Sequence, residues 1–284
     1  MSKVAVITDT DSSLPAELAA AYDIRQVPQS IHFGQETFLS SIEIDDERLF
    51  ARIDQEGKLP KTAAPAPGQF AEAYRTAFDA GAEQILCFCV SSTVSGTYNA
   101  ALTASELFAG RDITVVDTQT LSMAQGFMAL CAAEALRAGA GKDEALAQAL
   151  ELRGRTHLFA ALSTLKYIAM SGRVGHLAAG LASLLDVKPI LSMQNGQLDL
   201  LERVRTRHKA WLRVAELAAQ AAQDKPIERA AILHVCAAEE ARQFGDLLRS
   251  HISLPLDVLY APLTPGLSVH TGAGLVGIVL VTAR

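Results

Sequence analysis

Hydroxyl side chains are concentrated in residues 91–98, which read Ser-Ser-Thr-Val-Ser-Gly-Thr-Tyr. An apolar run of strand length, residues 84–90, precedes them, and a helical pattern, residues 99–108, follows. The first turn of a helix has unpartnered backbone N–H groups and the positive end of the helix dipole, so such a junction favours anions. Serine and threonine add neutral donors without adding a cation. The segment predicts an anion-binding loop, although one Ser or Thr here is also typical of an ordinary helix N-cap.

Acidic and hydroxyl residues also follow two other apolar runs, at residues 8–13 and 117–120. In open parallel sheets, ligand sites collect outside the carboxyl ends of the strands, so we expect these loops to share one edge with residues 91–98. Asp9 and Asp11 are compatible with a Mg²⁺ or phosphoryl site. An Asp at a strand end, followed by Ser, also makes Asx turns and caps, and this is the favoured interpretation.

Composition and charge exclude several classes of protein. The 284 residues include 25 basic and 31 acidic side chains, a net charge of −6, so a nucleic-acid partner is not expected. No apolar run approaches the roughly 18 residues that span a bilayer. The first residues have no signal-peptide pattern. We therefore expect a cytoplasmic protein without stable membrane insertion.

The cysteines and glycines give no indication of a metal site or a cofactor. Cys87 and Cys89, one residue apart on a predicted strand, are expected on opposite faces, as buried thiols outside any zinc site or disulfide. The pattern Gly272-x-Gly274-x-x-Gly277 matches a dinucleotide fingerprint only formally, because a strand pattern and not a helix follows it.

Apolar runs alternate with helical patterns along the chain, which predicts an α/β fold. We expect two domains, residues 1–155 and residues 156–284. The first should have a mainly parallel sheet with flanking helices, and the second a mixed sheet that contains a hairpin at Asn195-Gly196. Residues 24–33 are predicted to be extended, and residues 178–185 to be helical.

Seven short segments spread over essentially the whole chain carry a family pattern. They are Thr8-Asp9; Lys61-Thr62 with Pro65 and Gly68; Ser91-Ser92 with Ser95-Gly96-Thr97-Tyr98; Gly172-Arg173; Lys188-Pro189-Ile190; Val204-Arg205-Thr206; and the ending His270-Thr-Gly-Ala-Gly274. Their order and spacing resemble the DegV family of bacterial fatty-acid-binding proteins. Two departures are Thr62-Ala-Ala-Pro65 in place of the common Thr-Ser-Gln-Pro, and Gly272-Ala-Gly274 in place of Gly-Pro-Gly.

The resemblance implies a lipid-binding carrier that is not an enzyme and needs no cofactor. Members of the family hold one long-chain fatty acid in an apolar channel between or beside two α/β domains. Characterised members present it to a separate fatty acid kinase, which phosphorylates the carboxylate. By the same resemblance, Thr62, Ser92 and Ser95 bind the carboxylate, and His270 and Arg173 lie beside the head group.

Two other functions remain compatible with the residues. A serine-dependent acyl hydrolase or transferase would use Ser92 or Ser95 as nucleophile and His270 as base, although the sequence shows no obvious acid to orient the histidine. A kinase-like phosphate-binding protein would use Asp9 and Asp11.

Overall fold

The chain forms two units that share an α/β architecture. A computed structural model describes residues 3–171 and 187–284. The first unit comprises Met1–Glu43 with Pro60–Gly154, and the second comprises Ile44–Leu59 with Arg155–Arg284. The division differs from the expected single cut between residues 155 and 156 because Ile44–Leu59 belongs with the second unit.

The first unit contains seven of the described strands and five of the described helices. The strands are β1 Val4–Asp9, β2 Ile24–Val27, β3 Ser30–Phe33, β4 Glu36–Leu39, β5 Lys61–Ala63, β6 Gln84–Cys89 and β7 Asp112–Asp117. The helices are α1 Ala16–Ala21, α3 Pro67–Asp79, α4 Thr97–Ser105, α5 Met123–Arg137 and α6 Lys142–Arg153, with a 3₁₀ turn at Thr10–Ser12.

A four-stranded parallel sheet in the order β2-β1-β6-β7 forms the centre of the first unit. Helices α3 and α4 pack on one face, where Phe70 and Tyr74 are fully buried. Full burial of one such aromatic side chain stabilises the fold by about 1.5–3 kcal/mol. Helix α5 packs against β1 and β6, and a small antiparallel sheet, β4-β3-β5, lies outside the parallel sheet. The predicted parallel α/β fold is confirmed.

The second unit contains six described strands and five described helices. The strands are β8 Thr156–Ala161, β9 Lys188–Gln194, β10 Gln197–Val204, β11 Ile227–His234, β12 Leu259–Pro262 and β13 Val276–Thr282. The helices are α2 Asp46–Glu56, α7 Lys166–Ser171, α8 Arg207–Ala222, α9 Ala238–Arg249 and α10 Pro265–Thr271.

These six strands form a mixed sheet in the order β10-β9-β8-β13-β11-β12. All neighbouring pairs are antiparallel except β11 and β12. Asn195 and Gly196 turn β9 into β10 with φ of 50° and 82°, the left-handed values that a two-residue hairpin turn requires. The predicted mixed sheet and hairpin are confirmed.

Three details of the prediction change. The sulfur atoms of Cys87 and Cys89 lie 3.8 Å apart, so the expectation of opposite faces was wrong: side chains alternate along a strand, and residues two apart share a face. The extended stretch 24–33 divides into β2 and β3, which belong to different sheets. The predicted helix at residues 178–185 lies outside the described residues, as does Arg173.

Candidate functional site

The loop between β6 and α4 is held against the loop that follows β7. The backbone N–H of Ser91 donates to the Thr120 carbonyl at 2.8 Å, and the Thr118 N–H donates to the Cys89 carbonyl at 3.1 Å. The Ser91 carbonyl accepts the N–H groups of Val94 and Ser95, which closes a tight turn. The carboxyl ends of β6 and β7 therefore meet at one edge, as the sequence predicted.

Ser92 is bound to a carboxylate of this protein. Its hydroxyl donates to Asp117 Oδ2 at 2.5 Å, and its backbone N–H donates to Oδ1 at 3.2 Å. Asp117 Oδ1 also accepts the Gln119 N–H at 3.0 Å. The side chain of Ser92 is exposed, but its one hydroxyl proton is engaged with Asp117. To bind a ligand carboxylate, that hydroxyl must turn away from Asp117.

Ser95 lies beside the first turn of α4 and is half-buried. Its Oγ is 2.8 Å from Oγ1 of Thr97 and accepts the Thr97 backbone N–H at 3.3 Å. Gly96, the N-cap residue, has no side chain to cap the helix. Ser95 therefore supplies the polar side chain at this helix start.

One buried residue that the sequence did not indicate as a site residue, Gln29, supports Thr97 from the inside. Gln29 is 3% exposed, and its side-chain N–H₂ donates to Asp11 Oδ2 at 2.8 Å and to Thr97 Oγ1 at 3.1 Å. Its backbone N–H donates to Thr10 Oγ1 at 3.1 Å. No signal in the sequence singled out Gln29, because the extended stretch 24–33 also contains Arg25, Gln26, Ser30 and His32, and the partner of Gln29 is 68 residues away in the chain.

Asp9 is a capping residue. Its Oδ1 accepts the Asp11 N–H at 2.9 Å, and its Oδ2 accepts the Val90 N–H at 2.8 Å and the Gln125 side-chain N–H at 3.0 Å. Burial raises the pKa of Asp9 to about 6, although the hydrogen bonds that Asp9 accepts from Val90 and Gln125 lower it. The favoured interpretation of Asp9 as a cap is confirmed.

The described residues offer no metal centre. Within residues 3–171 and 187–284, no group of three or more His, Cys, Asp or Glu side chains could hold a metal ion. The oxygens of Asp9 are already filled by N–H donors. The geometry therefore does not favour a kinase-like use of Asp9 and Asp11.

Thr62 lies on β5, opposite Ile31 of β3, and is half-buried. The chain two residues further on approaches the serine loop: a Cβ placed on Gly96 would lie 3.9 Å from Cβ of Ala64. The structure thus brings the segment that carries Thr62 beside the loop that carries Ser92 and Ser95.

His270 belongs to the second unit, on α10. Two residues earlier on the same helix, the Ser268 hydroxyl donates to Asp46 Oδ2 of α2 at 2.8 Å. Burial, and to a smaller extent the charge of Asp45, raises the pKa of Asp46 to about 7, although the Ser268 hydrogen bond lowers it. Nothing in the sequence connects Asp46 with this helix, which lies 222 positions away at Ser268.

The hydroxyls of the first unit suit hydrogen-bond donation to an anion better than nucleophilic attack. Residues 91–98 contain no Lys, Arg or His. Among the described residues of the first unit, Ser92 bonds to Asp117 and Ser95 to Thr97, so no histidine base activates either of them there. The hydrolase hypothesis lacked an acidic residue, and Asp117 is one, but among the described residues Asp117 contacts Ser92 and no histidine.

The family model for uncharacterised proteins of the DegV family matches residues 3–283. The chain belongs to the DegV family. A DegV domain-containing protein of Streptomyces coelicolor is 35% identical over 98% of both chains.

Solved structures of DegV proteins also share the fold of this chain. A DegV family protein from Thermus thermophilus, described as binding fatty acid, matches with 29% identity and a TM-score of 0.89, covering 99% of this chain and 100% of its own.

DegV of Bacillus subtilis, described as a fatty acid binding protein, has 27% identity and a TM-score of 0.87, with each chain covered completely. These DegV structures share the α/β fold of this chain. Among the described helices, none has both the length and the apolar character that crossing a membrane requires.

Proposed function

We propose that this DegV protein binds a single long-chain fatty acid in an apolar channel and presents its carboxylate to a separate kinase, which forms the acyl phosphate. One observation carries the proposal: the chain is similar over its full length to the Thermus thermophilus DegV protein that is described as binding fatty acid. The hydroxyl-rich loop at residues 91–97 adds independent support, since it supplies donors suited to an anionic head group.

The proposed head-group ligands are Thr62, Ser92 or Ser95, and His270, with Arg173 beside them. Support for the first three comes from the first unit, where the segments that carry them lie side by side. Neutral donors fit a carrier because they hold a carboxylate less tightly than a buried cation would. The acid can then be released, and its carboxylate remains chemically accessible to a kinase.

The acyl chain supplies most of the binding free energy in this proposal. Transfer of about sixteen methylenes from water is worth roughly 13 kcal/mol, at ~0.8 kcal/mol each. Immobilising the ligand and desolvating its head group offset a large part of that. The hydroxyl donors therefore contribute mainly orientation and selectivity.

The kinase partner and the cytoplasmic location are parts of the same proposal. None of the four cysteines, all of them described, forms a disulfide, as is typical of proteins in a reducing compartment. Presentation to a second protein also agrees with the contacts of the serines, since Ser92 is engaged by Asp117 and, within the described part of the chain, neither Ser92 nor Ser95 is paired with a histidine base.

Native mass spectrometry of the protein as purified from cells tests the proposal. We expect a mass increment of one long-chain fatty acid per chain, and solvent extraction followed by lipid identification gives its length and saturation. Replacing Ser95 with Ala should reduce occupancy, while Ser105→Ala, at a half-buried position at the end of α4, serves as the matched control. A protein that is empty and takes up no added fatty acid would contradict the proposal.

A further inference from the structure

A chain of hydrogen bonds runs from the interior of the first unit to Ser95. It passes from Asp11 through Gln29 and Thr97 to the serine, with distances of 2.8, 3.1 and 2.8 Å. Asp11, Gln29 and Thr97 are 6%, 3% and 0% exposed. Because these groups are shielded from water, the direction of each hydrogen bond is determined by its protein partners.

Gln29 sets the direction of the chain. A carboxylate only accepts hydrogen bonds, so the amide nitrogen of Gln29, and not its oxygen, must face Asp11. The same nitrogen lies 3.1 Å from Thr97 Oγ1. An amide N–H₂ has two protons, and these two contacts use both of them. Thr97 Oγ1 is therefore an acceptor towards Gln29.

The proton of the Thr97 hydroxyl must then point to Ser95. Among the described residues, Gln29 and Ser95 are the partners of this hydroxyl, and Gln29 is already its donor. A fully buried hydroxyl proton without an acceptor would destabilise the fold. Ser95 Oγ lies 2.8 Å from Thr97 Oγ1, within hydrogen-bond distance, and is the acceptor of this proton.

Ser95 consequently receives two hydrogen bonds from one residue. The Thr97 hydroxyl and the Thr97 backbone N–H both point to Ser95 Oγ, at 2.8 and 3.3 Å. A hydroxyl oxygen has two lone pairs and one proton. With both lone pairs occupied, Ser95 has only its proton left for a ligand.

We propose that Gln29 and Thr97 are positioning residues that make Ser95 a donor only, so that the site selects an ionised carboxylate over a neutral alcohol head group. A carboxylate accepts without donating, and charge-assisted hydrogen bonds are roughly twice as strong as neutral ones. An alcohol brings a proton for which Ser95 offers no lone pair. The inference rests on the proposed function, whose head-group site it deepens.

Competitive binding of a long-chain fatty acid and the alcohol of equal length tests the inference in the full-length protein. The measured quantity is the ratio of the two affinities. Thr97→Val keeps the shape of Thr97 and removes its hydroxyl, which frees a lone pair on Ser95. We expect the acid-to-alcohol ratio to fall about tenfold, the equivalent of one good hydrogen bond. Thr97→Ser, which keeps the hydroxyl, should retain the ratio of the unaltered protein.

A double-mutant cycle separates positioning from a general structural effect. If Thr97 acts through Ser95, adding Thr97→Val to Ser95→Ala should leave the affinity ratio of Ser95→Ala unchanged. Gln29→Met, of equal length and without donors, provides a second variant if Thr97→Val does not fold, and it should lower the ratio in the same way.

Two results would overturn the inference while leaving fatty acid binding intact. One is a Thr97→Val protein with an unaltered ratio. The other is an equal loss of acid and alcohol affinity whether residue 95 is Ser or Ala. An unaltered protein that binds neither ligand would instead refute the proposed function together with this inference.

Discussion

At the scale of single residues, the two serines of the β6–α4 loop differ in what their hydroxyl protons contact. Ser92 donates to Asp117, whereas Ser95 accepts from Thr97 and retains a proton for a ligand. The sequence predicted both residues as head-group ligands without distinguishing them. In our proposal Ser95 therefore ranks above Ser92 as a head-group ligand, because a ligand carboxylate would compete with Asp117 for the Ser92 proton.

The raised pKa of Asp46 predicts a stability change with pH. Its pKa is 3.8 when unperturbed and about 7 in the folded protein, so the folded state binds this proton more tightly. The unfolding free energy therefore contains a contribution that is full below about pH 4 and is lost as pH rises through about 7. Asp46→Asn, whose amide oxygen can still accept from Ser268, should lack this loss.

Urea unfolding at about pH 4.5 and about pH 8 measures the effect. Relative to the unaltered protein, Asp46→Asn should gain on the order of 2 kcal/mol between the lower and the higher pH. Glu47→Gln removes an exposed charge from the same helical turn and serves as the control. Equal pH dependence in the Asp46→Asn and unaltered proteins would show that Asp46 is not the responsible group.

Residue roles could be predicted where the cause is local. The capping role of Asp9 follows from residues 9–13 alone, and the structure confirms it. Gln29 and Asp46 acquire their roles from partners 68 and 222 positions away. A single sequence contains no signal that joins positions so far apart, so these roles appear only in the structure.

At the scale of elements, helix α5 lies close to the turn Thr10–Ser12. A Cβ on Gly126 would lie 2.9 Å from the Ser12 carbonyl oxygen, a backbone atom that cannot move alone. In a helix, Ala is favoured over Gly by up to about 1 kcal/mol. We expect the steric conflict to outweigh that gain and Gly126→Ala to destabilise the protein by about 1–3 kcal/mol.

Chemical denaturation checks this, with Gly68→Ala as the matched control. Gly68 is also helical, in α3, but a Cβ there would meet nothing within 4 Å. That variant should be neutral or stabilised by up to about 1 kcal/mol. If both variants were equally stable, the packing of α5 on the turn would not be tight.

The pattern of strands and helices was predictable wherever local chemistry determines it. The apolar run before residues 91–98 became β6, and Asn195-Gly196 became the hairpin turn. Helix α4 begins two residues before the predicted start and ends three before the predicted end. The stretch 24–33 could not be divided from sequence, although Pro28, which has no N–H for a ladder, marks the break between β2 and β3.

At the scale of the whole molecule, the chain passes between its two units three times. Ile44–Leu59 leaves the first unit, contributes α2 to the second, and the chain then returns. The sequence of residues 44–59 does not indicate that this segment belongs to the second unit, because α2 has an ordinary amphipathic pattern. Its partners identify its unit: Phe50 packs edge-on against Tyr167, with ring centroids 6.2 Å apart, and Asp46 accepts from Ser268.

Hydrogen exchange should therefore show α2 opening together with the second unit. In Gly277→Ala, a Cβ would lie 2.7 Å from the Phe159 carbonyl oxygen, which should destabilise the central strands of that unit. Because elements of one cooperative unit open together, amides of α2 should exchange faster in this variant, as should those of β13. Amides of β4, only seven residues before α2, should keep the rates of the unaltered protein.

Gly126→Ala, in the first unit, should produce the opposite pattern: amides of β4 should exchange faster, and those of α2 and β13 should keep the rates of the unaltered protein. Mass spectrometry of proteolytic peptides resolves these elements, and acceleration of α2 in Gly126→Ala but not in Gly277→Ala would assign α2 to the first unit instead.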